Sequence, residues 1–333
     1  MRWQKVMMML PAYTDVLIVG AGPTGLTLAA GLQQAGVEHL LVDALPVGQN
    51  TSRAAVIHSH TLEMLETIGV AETLLAEGIA VSSFAVRDRD RPLLRIGFGA
   101  LPSTFQNMIM VPQATTEAVL QARLTELGGE VHRGVLALGF ERWTEGASVR
   151  VRTAEGDQTI RARFVVGGDG MHSVVRRAAG IPFEGQAYGE SFVLADVQMD
   201  WPLGNAEVSL FFAPEGLVVV APLPDGSYRV VATLDDAPEQ PTLSDVQQLF
   251  DTRGPVSAPA RVTDVVWSSR FRIQHRLAET YRRGPFLLMG DAAHVHSPAG
   301  GQGMNTGLVD AIVLGDALTR VVRNGEPAGV VDA

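Results

Sequence analysis

The sequence contains no cysteine. That removes disulfide frameworks, thiolate zinc sites, iron–sulfur ligation and any cysteine nucleophile together, so redox chemistry must be borrowed from a bound cofactor. Positive charge is also scarce: 26 Lys and Arg stand against 36 Asp and Glu, giving a formal net charge of -10 and a pI near 5.3. With no long basic run, the electrostatic signature of a nucleic-acid binder is missing, and no nucleic acid is expected as a partner. No stretch approaches the roughly 20 apolar residues of a membrane helix, so no membrane partner is expected either. Residues 1–10 have a basic start and a short apolar run that Pro11 interrupts. That run is too short for a signal peptide and reads as a leader, which places the protein in the cytoplasm.

What is present is a chain of 333 residues, 46% hydrophobic and 19% charged, enough for one large or two intergrown domains with a sizeable core. Residues 15–19 form a short, almost wholly apolar run, the kind buried on both faces of a parallel sheet. Gly20-Ala21-Gly22-Pro23-Thr24-Gly25 follows at once, then a Leu- and Ala-rich helical stretch over 26–35 closed by Gly36, then a second strand over 40–42 ending at Asp43. Helices are predicted over 61–68 and 115–127. Strands with one wet face are predicted within 81–105, and further strands over 131–140, 148–153 and 159–166. The runs 192–199, 208–212, 217–222 and 228–234, broken by Pro and Gly turns, suit an antiparallel sheet. At 286–289 a buried strand returns, and a glycine-rich passage leads into a helix at about 308–322. The pattern is α/β, a Rossmann-like domain with a parallel sheet interleaved with a second, α+β domain on a mostly antiparallel sheet. Residues 1–76, 106–185 and 270–333 are assigned to the first, 77–105 and 186–269 to the second.

Each glycine of the first motif has a physical task. Gly20 permits the tight turn, Gly22 lets the backbone approach a pyrophosphate, and Gly25 allows helix and strand to pack closely, with the helix N–H groups facing the phosphates. Asp43 ends the second strand, where a carboxylate accepts hydrogen bonds from ribose hydroxyls and repels a 2′-phosphate, which selects FAD or NAD over NADP in that position. A second segment, Gly290-Asp291-Ala292-Ala293-His294-Val295-His296-Ser297-Pro298-Ala299-Gly300-Gly301-Gln302-Gly303-Met304-Asn305-Thr306-Gly307, runs from a strand end to a helix start. Such a passage suits the far end of an extended dinucleotide, with backbone amides near 303–305 facing an electron-rich ring.

Together with Gly168-Asp169-Gly170, Ser173 and Arg176-Arg177, these motifs occur in an order that resembles the aromatic-ring hydroxylase family of FAD-dependent monooxygenases. The likeness spans nearly the whole chain. It implies an enzyme that hydroxylates a phenolic or polyketide-like small molecule with NAD(P)H and O2 by way of a flavin hydroperoxide. It also implies that Gly20, Gly22, Pro23, Thr24 and Gly25 hold the pyrophosphate with Arg53. Asp43 and Ala44 would lie at the adenosine ribose, Val135 beside the adenine and Gln113 on FAD. Asp169 and Gly170 would support FAD and help the nicotinamide to dock. Asp291 would bind the ribityl or pyrophosphate part, Pro298 would line the flavin ring, and Gly301, Gly303, Met304 and Asn305 would offer backbone groups to its edge. A positive environment there favours the anionic reduced flavin.

No residue is marked by spacing as a general base. His60 stands where relatives carry an arginine before Thr61-Leu62-Glu63, and the family normally continues well beyond the last helix. A truncated or non-catalytic FAD-binding protein therefore stays as an alternative, as does another flavin oxidoreductase such as a halogenase, although no Trp-x-Trp-x-Ile-Pro signature is present. The pairs His58/His60 and His294/His296 have no further ligand clustered in sequence, so no metal is expected. Residues 87–91, alternating in sign, read as a solvated turn, and Trp201, Phe211 and Phe212 as pocket or core.

Overall fold

Apolar runs of four residues with no polar alternation are best satisfied between two covering layers, and the first of them, residues 16–19, is buried in that way. In the computed structural model, which describes residues 9–48, 54–297 and 299–332, strand Tyr13–Val19 lies in the middle of an eight-stranded sheet. It pairs in parallel with His39–Asp43 on one side and with Gly156–Gly167 on the other. Val131–Arg133 and Phe286–Leu288 extend the parallel part outward on the two sides. The described residues form helices α1 (Pro23–Gln34), α2 (Ser59–Glu66), α3 (Ala71–Glu77), α4 (Gln113–Glu126), α5 (Val174–Ala179), α6 (Leu243–Arg253) and α7 (Gln302–Arg323). Leu26, Leu28 and Leu32 of α1 join Leu120 and Leu124 of α4 and Leu308, Ala311 and Leu318 of α7 in one core over the sheet. The opposite face is closed by the hairpin Leu136–Trp143/Gly146–Thr153 and by α5.

A second eight-stranded sheet runs in the order His294–Val295, Arg261–Ala278, Phe183–Asp200, Tyr228–Thr233, Gly216–Pro222, Glu207–Ala213, Ser83–Asp88, Arg91–Gly97. It is antiparallel except where Glu207–Ala213 meets Ser83–Asp88. Because side chains alternate across a strand, Val193, Ala195, Val218, Val220, Val230 and Ala232 share one face and pack with Val246, Leu249 and Phe250 of α6. A small third sheet, Val56–Ile57, Met108–Met110 and Ile79–Val81, lies between the two large ones in sequence and in packing.

Several expectations are corrected. The predicted strand over 131–140 is two: Gly134, at φ +70°, ends the parallel strand, and the chain restarts at Leu136 in the hairpin. The strand Arg91–Gly97, at the edge of its sheet, is exposed on both faces rather than one. Residues 87–91 are more than a solvated turn. Arg87 pairs with the buried Glu207 at 2.8 Å, Arg89 donates to the carbonyls of Asp251 and Gly254, and Asp90 accepts from the amides of Val256 and Ser257. Trp201 and Phe211 meet edge to face at 5.9 Å and pack with Phe250 beneath α6, so they are core and not pocket. The last helix begins at Gln302, six residues before the expected start, and takes the second half of the glycine passage into its first turns.

Candidate dinucleotide site

Three glycine segments far apart in sequence converge at the carboxyl end of the parallel strands, where open α/β sheets bind their ligands. Gly20, at φ +103°, donates its N–H to the Val42 carbonyl, and a Cβ there would lie 2.5 Å from the carbonyl oxygen of Gly168. The first motif, residues 20–25, and Gly168–Gly170, the second motif in chain order with Gly290–Gly307 the third, therefore touch backbone to backbone. Thr24 fills the space that side chains at Gly290 and Gly307 would occupy: an added Cβ would come 2.9 Å and 2.6 Å from its hydroxyl oxygen. That contact joins the first motif to the third. Arg176, 5% exposed, closes the triangle by donating to the carbonyls of Met171 and Ala292, both at 2.7 Å, with its guanidinium over the Phe183 ring. Arg176→Met should leave one buried and one part-buried carbonyl without this donor and lower stability by about 3 kcal/mol, with Arg176→Lys keeping part of it because one ammonium reaches one of the two acceptors. Denaturant midpoints of the three proteins measure this directly.

Where strand His39–Asp43 ends, Asp43 accepts from the amides of Ala21 (2.7 Å) and Leu45 (2.8 Å), and Arg133 stands 3.8 Å away. Val135 donates its N–H to the Asp43 carbonyl, which sets it beside that carboxylate; Ala44 is exposed next to it. Gln113, the first residue of α4, donates to Glu117 at 2.9 Å. Glu117 is buried, and that burial pushes its carboxyl above the usual range. Nothing in the linear sequence marks Glu117; only the fold brings it to the Asp43–Arg133 pair.

Two helix starts near these groups are left uncapped by the protein. Neither α1 nor α7 has a capping side chain or an acidic residue in its first turn. Both positive helix ends are thus left to something outside the helix. A Cβ on Gly22 or Gly170 would meet nothing within 4 Å, so the backbone there faces open space. Asp169 turns inward instead. Its carboxylate accepts from the amides of Val174 (2.7 Å) and Val175 (3.3 Å) at the start of α5, and burial raises its pKa.

At the far end, Gly300 and Gly301 take left-handed φ values of +76° and +64°, and a Cβ on Gly301 would lie 2.1 Å from a Val56 methyl. Asn305, 2% exposed, donates to the carbonyls of Val56 (2.9 Å) and Gly301 (2.8 Å) and accepts from the His58 amide (2.9 Å). The His58 ring meets the Gly300 carbonyl at 2.8 Å. Gly303 faces His296, and Met304 packs against the main core. Asp291 is exposed in the turn before this segment. Arg53 and Pro298 lie outside the described residues. His294 faces Asp310, and no group of three or more potential metal ligands occurs among the described residues.

The FAD binding domain family matches residues 13–332. A flavin-dependent monooxygenase of Mycobacteroides abscessus is 33% identical over 340 aligned residues, covering 95% of this chain and 69% of the relative. The chain belongs to the family of FAD-dependent aromatic-ring hydroxylases. Within it, pentachlorophenol 4-monooxygenase of Sphingobium chlorophenolicum is 33% identical over 326 residues, 95% of this chain and 60% of that protein. The crystal structure of p-nitrophenol 4-monooxygenase from Pseudomonas putida superposes with a TM-score of 0.87 at 25% identity, covering 97% of this hydroxylase-family chain and 84% of the other. The chain spans 60% of the length of pentachlorophenol 4-monooxygenase and 56% to 66% of the length of several other curated relatives it matches. No helix among the described residues is long and apolar enough to cross a membrane.

Proposed function

We propose that this chain binds FAD across the three converging glycine segments and hydroxylates an aromatic small molecule with NAD(P)H and O2. The observation that carries the reading is the pair of uncapped helix starts, α1 and α7, tied together by Thr24 of α1, which packs between Gly290 and Gly307. In this reading residues 20–25 and Asp43 hold the adenylate half, with Ala44, Val135, Gln113 and Arg53 around it. Asp291 and the amides of 301–305 hold the ring half, with Pro298 beside it. Gly170 leaves backbone open for the nicotinamide to approach, and Asp169 supports it by fixing the start of α5.

FAD supplies the redox chemistry when bound: reduced by a nicotinamide, it activates dioxygen for insertion of one atom into the ring. The chain's own task is to position and shield. The second sheet offers the wall for that. Opposite α6, its side chains Val208, Ala221 and Leu223 pack with Met108 and Met110 of the small sheet, and Val56 of that sheet lies against Gly301. An apolar face thus runs up to the first turn of α7, and we assign residues 77–105 and 186–269 to the substrate-binding part. Purified protein is expected to show oxidised-flavin absorption and to consume NAD(P)H faster with phenols, yielding hydroxylated product. A colourless protein that also refuses added FAD would overturn the reading.

A further inference from the structure

His294 and Asp310 have no part in the reading above, yet they sit between its elements. One oxygen of the Asp310 carboxylate, on α7, accepts from the Gly290 amide at 2.9 Å and meets His294 Nε2 at 2.6 Å. Gly290 opens the turn that carries Asp291, and His294 is the first residue of the short strand that follows. A single carboxylate oxygen therefore pins both ends of the segment 290–294 to α7, the helix with the uncapped start. His294 is 9% exposed.

Its surroundings are specific. Tyr281 lies 5.8 Å away ring to ring, and His296 stacks at 6.2 Å with an interplanar angle of 10°. Strand Arg261–Ala278 sets Leu277 opposite it, with Arg276 opposite Val295, and from α5 Arg176 holds the Ala292 carbonyl. The anionic neighbours are Asp310 and Asp291. Burial works against the imidazolium, but the Asp310 hydrogen bond and the charges of Asp310 and Asp291 outweigh it and raise its pKa above the ordinary 6.5.

We infer that Asp310 and His294 are positioning residues for the flavin-side segment, and that the imidazolium charge lets Asp291 and Asp310 stand beside an anionic cofactor. The inference rests on the proposed FAD site. The charge is in place below pH 6.5 and is lost as pH rises through the raised value. Above that window the imidazolium no longer offsets the charges of Asp310 and Asp291, and the charge-assisted bond to Asp310 weakens to an ordinary one.

The test is the rate of FAD release from the FAD-loaded protein, followed by the rise in free-flavin fluorescence between about pH 6 and about pH 9. Release from the wild-type protein is expected to quicken roughly fivefold to tenfold across this range. His294→Gln keeps a side-chain donor for Asp310 but no titrating charge. It should release FAD at one rate throughout, close to that of the wild type at high pH. Asp310→Asn should release faster at every pH and lose the dependence, since its amide no longer favours the imidazolium. Thermal unfolding without FAD separates these effects from misfolding. Wild-type release that does not change with pH, or a His294→Gln profile that still follows the wild type, overturns the inference while leaving a yellow, FAD-binding protein. A wild-type chain that takes up no FAD overturns instead the reading on which it rests. Should either variant fail to fold, the wild-type profile decides.

Discussion

Gly25→Ala is expected to yield a protein that does not retain FAD and is less stable by about 3 kcal/mol or more. The expectation runs against helix propensity, by which exchanging glycine for alanine inside α1 gains about 1 kcal/mol. Sterics decide the sign. A Cβ at Gly25 would lie 1.9 Å from the Gly20 carbonyl oxygen and 3.0 Å from its carbon, both backbone atoms. No rotamer can relieve that contact, so the turn must open. Opening it moves Gly20 off Gly168, where a second contact is already backbone on backbone. Gly31, in the same helix, provides the control: its added Cβ would meet only an Ile68 methyl at 3.8 Å, an ordinary contact. Gly31→Ala should therefore stabilise by about 0.5–1 kcal/mol and leave the flavin spectrum unchanged. Denaturant unfolding of both variants without FAD, with visible spectra after reconstitution, gives the comparison. Equal behaviour of the two substitutions would show that the turn is not built as described.

The contrast between Gly25 and Gly31 also marks what a sequence can and cannot reveal. The first motif was legible because each glycine stands at a fixed offset between an apolar strand and a helix, and the structure gives Gly20 and Gly25 backbone contacts that explain them. The buried strands Tyr13–Val19 and Phe286–Leu288 were legible because continuous apolar runs have no other home. Less was visible where pairing overrides composition. Strand Arg261–Ala278 is 18 residues long and carries charges along its length, and it is stabilised by its long antiparallel partner Phe183–Asp200 rather than by apolar alternation. Helix α6 also escaped, although Thr242 and Asp245 form a reciprocal capping box that marks its start. The early start of α7 was hidden by Gly303 and Gly307. Glycine lowers helix propensity, but at Gly307 it is what lets the helix approach Thr24. In the site, backbone-bearing residues were within reach of motif reasoning, whereas Glu117, Arg133 and the His294–Asp310 pair depend on three-dimensional neighbours.

Asn305 is where the two kinds of information meet, and its replacement is expected to be as damaging as that of Gly25. The motif places it in the first turns of α7; the fold buries it with all three hydrogen bonds made, to Val56, Gly301 and His58. Asn305→Leu preserves approximate shape and removes the side-chain partner of three part-buried backbone groups, at about 1 kcal/mol each, so a loss of about 3 kcal/mol is expected. Asn305→Asp is the sharper experiment. It keeps an acceptor for the His58 amide but turns an oxygen toward the Val56 and Gly301 carbonyls. The helix dipole favours the new charge by about 0.3–1 kcal/mol, which is smaller than the cost of repelling two carbonyls inside the protein. The introduced carboxyl should therefore have a raised folded-state pKa. Its protonated form can donate to one carbonyl, so stability is recovered as pH falls and lost as pH rises through that value. Melting temperatures at about pH 4 and about pH 8 should show Asn305→Asp moving part of the way back toward the wild type in acid, and Asn305→Leu staying equally far below it at both. If the two variants run parallel at every pH, the amide is not the clasp that holds Gly301 against Val56, and the left-handed turn ahead of α7 must be fixed by something else.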